Sequence, residues 1–334
     1  LPPSPTPLPA ATSTPTPGPQ QPVVYPPTTI AADTTWSPGD GVYVINSSVT
    51  VNPGITLTIE PGTVIKFASV RSLSINGSLQ ATGTAELPII FTALTDDAFG
   101  GDTNNDGSST TALPGYWGRI YFSPSSTNSA LDYAIVRYGG GSTNALVYAS
   151  GAAPIISNST FSQSSVHGLS FANSAAPVVT DCVISDNADV GIYLSASSTP
   201  TLQQNTIARN GDEAIYMDGS SLPTLADNFV YSNGINGVRV VGPIATAMTW
   251  QSNLTYVIDT TLYVNAGIQL TLEPGVVVKF VSGGITVNGT LSAQGTLESP
   301  VVFTSIKDDT LGGDTNNDGA ASRPAPGNWN SLTF

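Results

Sequence analysis

The sequence predicts an all-β solenoid with about 23 residues per coil, and three observations predict it. Between residues 131 and 245 the chain repeats itself every 23 residues without insertions. Within each repeat the apolar residues alternate over short runs, which is the period of two of a strand and not the 3.6 of a helix. Ser, Asn, Gly and Pro, the residues of turns, separate those runs. A repeat this short buries its apolar face only when coils stack on one another.

The repeat lines begin at Leu131, Pro154, Pro177, Pro200 and Pro223. Set one under another, they place Tyr133, Ile156, Val179, Leu202 and Leu225 in one column, and Tyr138, Phe161, Ile184, Ile207 and Val230 in a second. A third column holds Leu146, Leu169, Ile192, Ile215 and Val238; a fourth holds Tyr148, Phe171, Leu194, Met217 and Val240. All are apolar in a chain that is 40% hydrophobic, so chance does not explain the register. Parallel strands lie about 4.8 Å apart, so each column is expected to form an inward ladder along the axis. Val136, Ser159, Cys182, Asn205 and Asn228 make a further inward column, in which neighbouring asparagines are expected to hydrogen-bond. Cys182, the single cysteine, reads as a small core residue. Burying one large apolar side chain contributes roughly 1.5 to 3 kcal/mol, while ordering one residue's backbone costs about 1 to 2 kcal/mol. A single coil therefore does not stand alone. The arrangement resembles the right-handed parallel β-helix, the fold shared by pectate lyases, polygalacturonases and many large secreted bacterial surface proteins.

Taken in order, residues 1–29 contain 11 Pro, and no charge occurs before Asp33. Residues 1–35 read as an extended Pro/Thr-rich tail or linker of polyproline II character. At about 3.1 Å per residue such a tail reaches roughly 90 Å, enough to lie along its own solenoid or a neighbouring subunit. From Trp36 strands are expected at 42–45, 49–51, 57–59, 64–67, 73–75 and 89–91, separated by Pro53-Gly54, Pro61-Gly62 and Asn76-Gly77. This opening returns after the regular coils. Leu57-Thr58-Ile59-Glu60-Pro61-Gly62 is echoed by Leu270-Thr271-Leu272-Glu273-Pro274-Gly275, an offset of 212 to 213 residues elsewhere in the block as well. Residues 36–249 thus form one unit, with regular coils at 131–245, and 250–334 form the opening of a second unit stacked on it. The chain has neither a starting Met nor a signal-like segment, and Phe334 matches Phe122, after which the first unit continues. The expectation is a mature form or fragment of a longer repeat protein, or an end capped by another subunit.

A net charge of -14 disfavours nucleic acid and anionic membranes as partners and favours cations. No apolar run approaches the roughly 20 residues that span a bilayer. Asp102-Thr103-Asn104-Asn105-Asp106-Gly107 is a D-x-N-x-D-G turn. Its first, third and fifth side chains converge on a hard cation, Gly permits the sharp bend, and the Ser108 carbonyl at the seventh position adds an oxygen. An EF-hand would carry Glu where Leu113 stands, so this calcium loop, 96–107, is of another kind. Asp96 and Asp97 lie just upstream and are expected to complete the shell. The set recurs as Asp308, Asp309, Asp314, Asn316 and Asp318, with Gly319 and the Ala320 carbonyl. Each copy is followed by Pro-Gly and a Trp, Trp117 or Trp329. The implied cofactor is Ca2+, and the resemblance implies an extracellular or cell-surface setting.

Lyases of the resembled fold hold calcium with stacked Asp and use Arg or Lys as base; its hydrolases use paired Asp near a Gly-His. Here His167 precedes Gly168 with no Asp pair in the coil beneath. Asp189 and Asp212 share a column beside Glu213 and read as a solvated acidic turn, with an acid/base pair or another cation site as the alternatives. Arg137, Arg209 and Arg239 share no column, so no basic strip for an acidic polysaccharide is expected. The sequence therefore points to a non-catalytic extracellular structural protein: a calcium-stiffened shaft of a surface fibre, filament, stalk or adhesin. Its expected partners are copies of itself, stacked end to end or held by the tail, or further repeats. The alternative is a module that binds or cleaves cell-surface polysaccharide.

Overall fold

A computed structural model of the protein describes residues 21–141 and 144–334, so most of the expected Pro-rich tail lies outside the described residues. The described chain is an all-β parallel solenoid. Each coil contributes one strand to each of three faces, and every strand pair is parallel. The first face is a nine-stranded sheet running from Val23–Val24 through Val42–Ile45, Val64–Phe67 and Ile89–Ala93 to Phe229–Tyr231. The second face has 12 strands, one from each coil, from Thr29–Ile30 to Val302–Ser305. The third has eight, from Thr34–Trp36 to Thr224–Ala226, and two three-stranded sheets complete the C-terminal coils. Coil stacking at about 4.8 Å makes a body roughly 55 Å long.

Four of the five repeat lines keep their expected register. Ile156, Val179, Leu202 and Leu225 pair in sequence, as do Phe161, Ile184, Ile207 and Val230, and nearly all are fully buried. The first line does not. Leu131, not Tyr133, pairs with Ile156; Val136, not Tyr138, pairs with Phe161. Val147 and Ala149 replace Leu146 and Tyr148 opposite Leu169 and Phe171. The turn from Val136 to Val147 is longer than the one from Phe161 to Leu169, and period-two strands convert an odd change of spacing into a change of face. Tyr148 consequently points outward and stacks on Tyr121 at 5.5 Å.

At the corners the chain leaves one sheet for the next, and buried amides replace strand pairing. Cys182 N donates to Asn205 Oδ1 at 3.0 Å, and Asn205 Nδ2 donates to Asn228 Oδ1 at 3.0 Å. Ser159, Cys182, Asn205 and Asn228 thus share the expected inward row, although Ala134 and not Val136 precedes Ser159 on it. Burial pushes the Cys182 thiol up to about 12, in keeping with a small core residue. A second ladder, spaced by 23 residues, joins Ser164, Asn187, Asn210 and Asn233 at the opposite corner. Gly168 is needed beside it: a Cβ there would stand 2.7 Å from Asn187 Nδ2.

Strands begin earlier than Trp36. Val23–Val24, Thr29–Ile30 and Thr34–Trp36 already form a coil, pairing with Val42–Ile45, Val49–Val51 and Thr56–Ile59, so the tail boundary at residue 35 is corrected. The second unit likewise opens before Trp250. Val238 pairs with Tyr256 and Ile244 bridges to Val264, as Val24 pairs with Tyr43 and Ile30 with Val51. One strand, Ile235–Val241, therefore ends the second face of the regular coils and opens the first strand row of the next unit. The second unit is rotated by one face relative to the first. The nine-stranded sheet stops at Phe229–Tyr231, where the rotation leaves it.

Asn210→Ala should lower stability by about 1 to 3 kcal/mol, because it leaves buried partners unsatisfied on both neighbouring coils. Ile192→Ala, which opens a cavity, should cost about 2 to 5 kcal/mol. Denaturant midpoints of the two variants against wild type check both.

Candidate metal centres

Two long loops interrupt the coils at equivalent places. One, 94–119, leaves Ile89–Ala93 and returns at Ile120–Phe122; the other, 306–331, leaves Val302–Ser305 and returns at Leu332–Thr333. Their returning ends are anchored by tryptophan. Trp117 is fully buried, stacks on Phe67 at 4.0 Å and donates from Nε1 to Arg137 O at 2.8 Å. Trp329 stacks on Phe280 at 4.5 Å. In between, each loop folds back onto the coils before it. Gly100 and Gly312 adopt φ of +70° and +74°, and a Cβ would reach 2.9 Å from Val42 Cγ2 or 2.6 Å from Thr255 Oγ1. Only glycine fits both the angle and the approach.

This fold-back gathers the acids. Asp97, Asp102 and Asp106 offer one carboxylate oxygen each, all within 4.8 Å of one another, and Asp309, Asp314 and Asp318 repeat the arrangement. Asp102 also shapes the turn, accepting from Asp106 N at 3.0 Å and Gly107 N at 2.8 Å, as Asp314 does from Asp318 N and Gly319 N. Gly107 and Gly319 carry the positive φ that the sixth position of the motif requires, +73° and +67°. Asn104 Nδ2 donates to Asp106 Oδ2 and Asn316 Nδ2 to Asp318 Oδ2, both at 2.6 Å, which turns the amide oxygens to the other side. Asp97 Oδ1, Asn104 Oδ1 and Asp106 Oδ1 are then buried without a protein partner, and so are Asp309 Oδ1, Asn316 Oδ1 and Asp318 Oδ1. Buried oxygens seldom go unsatisfied, and six in matched positions fit a hard cation that takes oxygen ligands.

Two expected ligands are committed elsewhere. Asp96, 5% exposed, is clamped by Arg137 at 2.6 to 2.8 Å and accepts from Thr92. Asp308 accepts from Thr304 Oγ1 at 2.7 Å and Thr310 Oγ1 at 2.6 Å. Both brace the base of the loop from outside the carboxylate clusters. Ser108 and Ala320 follow the glycine as exposed residues.

The sequence reading missed Lys66 and Lys279, the only fully buried cations among the described residues. They lie beneath the loops and donate to Gly101 O and Gly313 O, each at 2.6 Å. Burial pushes the Lys66 ammonium down to about 8, against the pull of Asp97, Asp96 and Asp102. Burial raises Asp97, and Asp102, Asp106 and Asp96 raise it further, with Lys66 opposing. Three carboxylates against one ammonium leave each site two charges negative. A divalent cation would neutralise that charge. The available signal was the shared Lys-Phe pair at 66–67 and 279–280, one strand before each loop strand.

A second polar cluster lies on the second face. His167 Nδ1 stands 3.1 Å from Asp189 Oδ2, and its ring stacks on Tyr193, which stacks on Tyr216 at 4.4 Å. Glu213, 1% exposed, lies 3.5 Å from Arg239 Nη1, and Arg239 Nη2 is 2.8 Å from Asp259. Burial, then the hydrogen bond to Asp212 and its charge, push Glu213 up to about 8. Burial holds His167 below the usual imidazole range. His167 thus meets a single acid and no Asp pair; that acid belongs to the following coil, 22 positions on, one short of the repeat. Arg209 pairs instead with Asp186 at 2.6 Å.

Residues 120–279 match the family described as right handed beta helix region, which includes both enzymes and non-enzymes, so the regular coils and the joint are a right-handed parallel β-helix. No curated protein and no solved structure matches the chain. Among the described residues no helix is long and apolar enough to cross a membrane.

A raised carboxyl favours the fold at low pH. The contribution of Glu213 is fully present below its ordinary value of 4.5 and is lost as pH rises through about 8. Wild type should thus lose stability relative to Glu213→Gln across that window, which urea melts at several pH values will read; parallel curves would contradict the assignment.

Proposed function

We propose that the protein is a non-catalytic structural module, a calcium-stiffened β-solenoid shaft of an extracellular or cell-surface fibre, filament, stalk or adhesin. The observation that carries this reading is the recurrence of one loop geometry, with its triad of carboxylates and its orphaned oxygens, in both units of a continuous solenoid. Asp97, Asp102, Asn104 and Asp106 would hold one ion, with the Ser108 carbonyl; Asp309, Asp314, Asn316 and Asp318 would hold the other, with the Ala320 carbonyl. Millimolar extracellular calcium fills even weak sites of this type and stiffens the loops. Reiteration of the unit supports lengthening by further repeats or by self-association. Calcium at one hundred times Kd should stabilise the protein by about 2.7 kcal/mol per site. Calorimetric titration with Ca2+ should find two sites, and Asp102→Ala with Asp314→Ala should abolish both the binding and the rise in Tm. Wild type melting alike in calcium and in chelator would sink the reading.

The cluster around Glu213 favours a second reading, a module that binds or cleaves polysaccharide. A buried acid held protonated near neutrality beside Asp212 is equipped for general acid work. Release of reducing ends or unsaturated products from acidic glycans by wild type, lost in Glu213→Gln, would establish it; no release by either would dismiss cleavage.

A further inference from the structure

The two loops are built alike but sit on different ground. The first covers strands of its own unit. The second reaches back across the joint and closes the end of the first unit. Asn236 N donates to Thr315 O at 2.7 Å, Asn236 Nδ2 donates to Asp314 O at 3.0 Å, and Thr255 Oγ1 donates to Gly312 O at 3.3 Å. Thr315 is fully buried by this contact surface. Asn236 also ends the corner ladder of the regular coils. Asn233 donates to Asn236 Oδ1 from N at 2.9 Å and from Nδ2 at 3.2 Å. Behind it Asn210 donates to Asn233, Asn187 to Asn210, and Ser164 N to Asn187. One unbroken hydrogen-bonded chain thus runs from Ser164 through four asparagines to the main chain of Asp314, a member of the carboxylate triad.

The attachment falls where the regularity of the solenoid breaks. The register between Glu213–Asp218 and Ile235–Val241 slips there by a bulge, the nine-stranded sheet ends, and a cavity of about 390 Å³ opens between Tyr231, Asn236, Thr255 and Gly313. At the equivalent place in the first unit stands Pro22, which has no N–H for the first loop to accept.

We propose that the second loop is a calcium-governed clasp that locks the joint between the two repeat units. The clasp rests on the reading of the loops as calcium sites. An ordered loop 312–318 presents the Asp314 and Thr315 carbonyls to Asn236; a loop whose carboxylates repel one another does not hold them there. Binding energy for the ion then becomes energy for closing the joint and for terminating the ladder.

Amide hydrogen exchange on the full chain, in Ca2+ and in chelator, tests this. At calcium about ten times Kd, linkage predicts about tenfold slower exchange for amides that open with the joint, namely residues 229–241 and Asn187, Asn210 and Asn233. Asp106→Ala in the first loop should leave that slowing intact. Asp318→Ala should remove it, and Asn236→Ala should keep both calcium sites by calorimetry while uncoupling the ladder amides. Two calcium sites with exchange at 229–241 indifferent to calcium, or equally altered by Asp106→Ala and Asp318→Ala, would overturn the clasp and leave the calcium reading standing. Absence of calcium binding at either loop would overturn both.

Discussion

A chain that turns corners inside a tube buries main-chain groups that no neighbouring strand reaches, and satisfying them is the constraint on which the rest of this solenoid depends. Asparagine answers it with one side chain. Asn187 accepts from Ser164 N, donates to Phe161 O, and donates again to the next asparagine; Asn210 does the same with Asn187 N and Ile184 O. Each amide thereby ties three successive coils. Because the solution is one residue per turn at a fixed place, it imposes the constant repeat length, and the constant length keeps the apolar rows in line.

Where that constant length ends, other groups take over. The joint inserts a bulge, rotates the following unit by one face and leaves a sheet without a next strand. A long loop folds back over the gap, held down by a tryptophan on a phenylalanine and by a buried lysine on a glycine carbonyl. The same lysine offsets part of the charge of the acids that the fold-back brings together. Anchoring, charge balance and carboxylate geometry are therefore one construction and not three, and both copies have all of its members.

The regular coils were legible because their signal is periodic. Sixteen inward positions from Ile156 to Val240 follow from spacing alone, and the carboxylates of the two loops follow from the D-x-N-x-D-G pattern. The first line failed because a longer turn between Val136 and Val147 has no signature in an alignment by fixed length; Tyr133, Tyr138 and Tyr148 are apolar enough to pass for core. Asp96 and Asp308 failed for another reason. Adjacent acids are equivalent on paper, and only the positions of Arg137, Thr92, Thr304 and Thr310 decide which member of each pair turns away from the cluster.

By itself the sequence determined that the chain winds, how long a coil is, which residues face inward over most of it, and that two acidic turns recur in matched context. These are consequences of local periodicity and of backbone rules that act over a few residues. Tertiary structure alone decided what meets across coils: His167 with Asp189, Glu213 with Arg239, Lys66 beneath its loop, and the asparagine row with Asp314. The separations in those pairs range from 22 residues to 78, and the last depends on the one-face rotation at the joint, where Ile235–Val241 pairs onward with Tyr256–Ile258 and brings the second loop over the end of the regular coils.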